Sequence, residues 1–227
     1  MTCHASGVAL TGVALTGVAL TDVVAVAVLA LVGLRLVGVA RHAVRAPLRA
    51  RVVALWKGLR PRHLLPVPIV LTAVVAAATA LVQVPGLDVG WWRALGGYGN
   101  PVTGGTEQTT GTPLELIVPL VFVVLLLPGL PLFAAAEERM FRVGAERWST
   151  TRRIGMGVVF GLAHALIGIP LGVALALSIG GWWFTAVYLW GFRRGGRARA
   201  YLESTLAHLA YNACVLAVLV ASLGSVI

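Results

Sequence analysis

Three short constellations in this chain carry side chains able to do acid–base chemistry. The first is Glu137-Glu138-Arg139-Met140-Phe141-Arg142. On a helix, Glu138 and Arg142 stand four residues apart with the glutamate N-terminal, the favourable order for an ion pair. Glu137 points about 100° away and has no basic residue at its own i+4 position. The two carboxylates can therefore divide the work, Glu138 held by Arg142 and Glu137 available as a base. The second is Phe160-Gly161-Leu162-Ala163-His164, where Gly157 and Gly161 form a GxxxG that permits close helix approach. The third is His208-Leu209-Ala210-Tyr211-Asn212. Its imidazole and carboxamide share one helical face about one turn apart.

Each constellation alone also has an ordinary reading. A solvated helix end can carry EExxxR, and a lone intramembrane histidine can be a hydrogen bond between helices. Their conjunction says more, because Glu137, His164 and His208 come from three different apolar runs. Ionisable groups are expensive in such runs and are functional candidates by default. A carboxylate, two imidazoles and an amide provide a base for water and donors for a developing oxyanion, the parts needed to hydrolyse an amide bond. Glu137, His164 and His208 could equally ligate a divalent metal.

The elements that must position these groups are membrane helices. The chain of 227 residues is 59% hydrophobic and 11% charged, with a mean hydropathy of +0.91. Soluble domains carry about 25% charged residues, so a soluble globule, a disordered tail and a disulfide scaffold are poor readings. Long unbroken apolar runs favour helices over a barrel. A net charge of +10 on a soluble chain would suggest nucleic acid. Here the arginines lie in three blocks between apolar runs, which points to anionic lipid headgroups and not to nucleic acid. Cys3 and Cys214 fit no metal spacing, and Cys214 reads as a small buried hydrophobe.

The expected fold class is all-α, a polytopic transmembrane bundle of about six spans. A low-complexity GVALT repeat over residues 7–21 leads into a first span that stops at Arg35. Further spans cover about Leu64 to Val84 and Leu114 to Ala136. The apolar run from Ile154 to Trp190 exceeds one bilayer core and must hold two spans, turning near Gly168-Ile169-Pro170 or near Gly180-Gly181. The last span covers about Tyr201 to Leu223. Residues 1–113 then form the N-terminal spans, a basic loop and an arginine-poor loop, and residues 114–227 form the core bearing the three constellations. Six spans gather every basic block on one side, so the positive-inside rule puts both termini outside, in the plasma membrane. Tryptophans near the span ends agree with an aromatic belt.

The three constellations, in this order and at this depth, resemble the signatures of the CPBP family of intramembrane proteases (CAAX proteases and bacteriocin-processing enzymes, also called the Abi family). EExxxR is matched by Glu137, Glu138 and Arg142, FxxxH by Phe160 and His164, and HxxxN by His208 and Asn212. The resemblance spans residues 114–223, about half of the chain. It implies an endopeptidase acting on a membrane-associated protein or peptide. By motif position Glu137 would activate water, His164 would position it or bind a metal, and His208 and Asn212 would stabilise the oxyanion. Glu138, Arg142 and Phe160 would shape the site. The family is usually labelled metalloprotease, yet the chain has no HExxH, the clearest helical zinc-protease motif. Zinc therefore stands beside metal-free water activation. Two other classes keep the same residues: a non-proteolytic immunity or scaffold protein of the same fold, and a small proton-coupled transporter.

Overall fold

The computed structural model describes residues 20–94, 100 and 110–224. Cys3 and nearly all of the GVALT repeat lie outside the described residues, as do residues 95–99 and 101–109 of the arginine-poor loop. Among the described residues the regular structure is helical throughout: α1 (Leu20–Val44), α2 (Leu48–Gly58), α3 (Pro61–Leu64), α4 (Val67–Leu81), α5 (Trp91–Ala94), α6 (Leu114–Phe141), α7 (Thr150–Ala163), α8 (Leu171–Ala176) and α9 (Ser178–Gly224). Short 3₁₀ turns at Ala145–Arg147 and His164–Ile167 flank α7. Four stretches are long and apolar enough to cross a membrane: Val26–Val44, Pro61–Leu81, Leu114–Arg147 and Leu171–Ala221. An all-helical integral membrane protein is thus supported by length and composition.

The longest helix, α9, is two helices in physical terms. Gly195 and Gly196 leave the helical region, and Gly196 adopts φ 69°, a left-handed value that suits glycine. The chain reverses there, because a methyl group on Gly191 would lie 2.9 Å from the Ala200 Cα. The two arms, 178–194 and 197–224, run antiparallel, and α6, α7 and α4 pack around them. Apolar residues from several helices close the centre, with Val67, Phe141, Phe160, Phe184, Ala207 and Ala210 in one buried cluster.

Two sequence expectations shift and one open choice closes. The first helix does not stop at Arg35. Leu36 to Val44 contain no proline, Leu36 and Ala43 are buried, and Val39 packs so tightly on Gly129 that a β-carbon there would come within 2.7 Å. The basic segment after it is not an open loop, since α2 and α3 occupy most of it. The chain between Ile154 and Trp190 turns at Gly168-Ile169-Pro170. Gly168 takes φ 88° and ends the 3₁₀ turn, and Pro170 caps α8. Gly180 and Gly181 instead lie within the 178–194 arm, and a β-carbon at Gly181 would meet the Gly157 carbonyl at 2.8 Å.

The Gly157/Gly161 pair fulfils its expected purpose. A β-carbon at Gly157 would collide with the Trp182 ring, and one at Gly161 with the Ala174 carbonyl and Ser178. Contacts also join segments that the arginine pattern assigns to one side. Arg62 meets Glu203 at 2.9 Å and Arg197 meets Glu146 at 2.7 Å. At the other end, Gly172 N–H donates to the Leu87 carbonyl at 2.7 Å and the Trp91 indole donates to the Leu166 carbonyl at 3.1 Å. Trp92 is buried there, so this pair helps to close the loops together. Overpacking of a tight contact costs about 1–3 kcal/mol. Gly161→Val should therefore lower the thermal midpoint of the purified protein. Gly155→Ala, on the open face of the same helix, should not, and equal losses would contradict this packing.

Candidate functional site

Glu138 and Arg142 lie on one face of the C-terminal end of α6, and both side chains are sealed from solvent. The guanidinium Nη1 stands 3.1 Å from Glu138 Oε1. The guanidinium carbon sits 4.0 Å from the centre of the Phe160 ring and 5.2 Å from that of Phe184, a cation–π setting that compensates a charge removed from water. Arg142 Nη2 also donates to the Gly181 carbonyl at 3.4 Å, tying α6 to the 178–194 arm.

The same Glu138 oxygen accepts from His208 Nδ1 at 2.9 Å. An ionised carboxylate has no proton to give, so the contact assigns a proton to Nδ1 and turns Nε2 the other way. His208 Nε2 stands 3.6 Å from Glu137 Oε2, beyond hydrogen-bond length, and Glu137 Oε2 is buried without a hydrogen-bond partner. The His208 ring is stacked on Phe184 at 4.2 Å and 20°, and meets Phe160 edge-on at 5.5 Å. It is thus fixed in plane as well as in direction.

Glu137, one residue round the helix from Glu138, is partly exposed at 29%. It opens into a cavity of about 570 Å³ that His164 and Asn212 also line. The other walls are mostly apolar side chains of α1, α6 and the 197–224 arm, among them Leu31, Phe122, Leu126, Val215 and Leu219. Sequence reasoning places His164 well inside a span. The structure sets it at the end of α7, where the helix gives way to the 3₁₀ turn, with Nδ1 donating to the Phe160 carbonyl at 2.8 Å. His208 is buried behind Glu137 and does not line the cavity, whereas Asn212 does. Phe160, whose ring touches those of Phe141, His164, Phe184 and His208, is the hub through which the three constellations meet.

Both imidazoles direct Nδ1 inward, one to a carbonyl and one to a carboxylate, and leave Nε2 as the outward nitrogen. Metal-binding histidines carry the same outer support, and with Glu137 they supply donors of the kind zinc accepts. Among the described residues no three His, Cys, Asp or Glu side chains already form a metal cage.

Two features of the site lie outside the three constellations. Phe184, which positions His208, is an unremarked aromatic in an apolar run. The other is a second polar cluster: Glu203, the single acid of α9, is buried against His63 at 2.9 Å, with Arg62 at 2.9 Å and Arg199 at 3.7 Å. An acid alone in a 47-residue helix, four residues after an arginine, was the signal. All of its partners come from the basic segments, and the cluster clamps α3 onto the 197–224 arm.

Removing one partner of a buried ion pair leaves the other charge uncompensated, at a cost of about 3–5 kcal/mol. Arg142→Ala should therefore destabilise the purified protein far more than Arg197→Ala, whose side chain is 51% exposed. Thermal unfolding in detergent reads the difference, and similar midpoints for both variants would show that the buried pair does not anchor the site.

The chain matches no protein family, no curated protein and no solved structure in comparisons with each.

Proposed function

We propose that this protein is a membrane-embedded endopeptidase that hydrolyses a peptide bond of a membrane-associated protein or peptide. The observation that carries this reading is the cavity lined by Glu137, His164 and Asn212, with Glu137 set against a histidine oriented by a second, buried carboxylate. Glu137 takes a proton from water as the oxygen attacks the scissile carbonyl carbon, and later returns it to the departing amine. His164 Nε2 positions that water. The Asn212 amide donates to the oxyanion. His208, held by Glu138, keeps its Nε2 turned toward Glu137. A divalent ion such as zinc, where bound, would be held by His164, His208 and Glu137 and would polarise the same water.

The proposed topology has six crossings: α1, α3 with α4, α6, α7 with its 3₁₀ turn, and the two arms of α9. The reversals at Gly168 and at Gly195-Gly196 support it, as do the Arg62–Glu203 and Arg197–Glu146 contacts between basic segments. With those segments facing the cytoplasm and anionic lipid, both termini lie outside the plasma membrane.

Loss of a general base typically costs about 10²–10⁴ in rate, and loss of an oxyanion donor about 10²–10³. Glu137→Gln and Asn212→Ala should each reduce peptide release by such factors while the protein still inserts and purifies normally. Mass spectrometry of membrane peptides from cells carrying wild-type or Glu137→Gln protein is the test. Identical peptide profiles would defeat the peptidase reading, and a wild-type phenotype that survives in Glu137→Gln would favour a scaffold or immunity protein.

A further inference from the structure

Arg35 is the one cavity-lining charge for which the hydrolytic site has no use. It lies within α1, inside the apolar stretch Val26–Val44, and a charge inside an apolar span is costly. Such charges face a watery cavity or a partner. The Arg35 side chain is exposed, and among the described residues no hydrogen bond or ion pair engages it. It lines the same cavity as Glu137, His164 and Asn212. It also lines an adjoining cavity of about 400 Å³ with Phe133 and Ala136. Phe133 borders both spaces and precedes Glu137 by one helical turn, a separation on the order of 6 Å along α6.

From this placement we infer that Arg35 is an anion subsite that holds a carboxylate of the substrate chain close to the scissile bond. The inference rests on the peptidase reading and adds what that reading lacks, the character of the substrate. Glu137 does not fill the role: among the described residues its ion-pair partner is His208, and no ion pair joins it to Arg35. A lipid phosphate is the rival ligand, and the test below separates it from a peptide carboxylate. The remaining walls are apolar, so the ligand is an apolar peptide with one carboxylate, from either an acidic side chain or a free C-terminus. A guanidinium recognises either by charge-assisted hydrogen bonds.

The test is equilibrium binding to the full chain in phosphatidylcholine nanodiscs, with Glu137→Gln preventing turnover. The probes are three fluorescein-labelled Ala/Leu peptides: amidated with a central Asp, amidated with Asn in its place, and the Asn peptide with a free C-terminus. One of the two anionic peptides should bind about tenfold tighter than the neutral one, the worth of one hydrogen bond to a charged group, and which of them does so identifies the source. Arg35→Gln should remove the preference and Arg35→Lys should keep part of it. Equal binding of all three peptides, or a preference that survives Arg35→Gln, overturns the inference. So does Arg35-dependent capture of phosphatidylglycerol that excludes the anionic peptides. Hydrolysis is not read in this experiment, so a chain without peptidase activity defeats the proposed function separately from the charge preference.

Discussion

A guanidinium held out of water, with its carboxylate, is the constraint on which this structure turns. Arg142 is enclosed by Phe141, Phe160 and Phe184, and its charge is met by Glu138 and by the faces of those rings. Buried ion pairs are weak sources of stability, yet breaking one is costly. The pair therefore acts as a registration device: α6, α7 and the 178–194 arm must arrive together or leave a charge stranded. Because Glu138 also accepts from His208, the 197–224 arm is bound into the same register. Four helical segments share one electrostatic condition.

That condition separates two neighbouring carboxylates. Glu138 faces the rings and is wholly buried, while Glu137, about 100° round the helix, faces the cavity. Identical side chains one residue apart thus meet different surroundings, one sealed against Arg142 and His208 and the other partly exposed to the cavity. The glycines serve the same end. Gly157, Gly161 and Gly181 let α7 and the 178–194 arm approach until backbone meets side chain, which brings Phe160 and Phe184 together against Arg142. The loops at the far end, joined through Leu87–Gly172 and Trp91–Leu166, hold the turn beyond His164.

Much of this was legible in the sequence. The i,i+4 spacing of Glu138 and Arg142 foretold their ion pair, GxxxG foretold close packing, and the apolar runs foretold helices. Each of these signals is local, a matter of which residues share a helical face. What escaped was set by distance in the fold. Arg35 looks like the end of a span because charge is the usual marker of one, yet the helix runs on past it, with Ala43 buried and Val39 packed tightly on Gly129 of α6. His164 falls where α7 gives way to the 3₁₀ turn, a local change of helix type that hydropathy does not reveal. His208 shared a stripe with Asn212 as expected, but nothing local revealed that one would be buried on Glu138 and the other would face the cavity. Phe184 carried no signal, since stacking on a histidine 24 residues away is a property of the Gly195-Gly196 reversal.

The central claim is that Glu138 orients His208 so that Nε2 faces Glu137. Nitrogen-15 NMR of histidine-labelled protein in lipid bilayers tests it directly, since the shifts of the two ring nitrogens reveal which carries the proton. The account predicts a proton on Nδ1 of His208 in the native protein, with a marked change when Glu138 becomes Gln. A neutral ring protonated on Nε2, or one indifferent to Glu138→Gln, would contradict it.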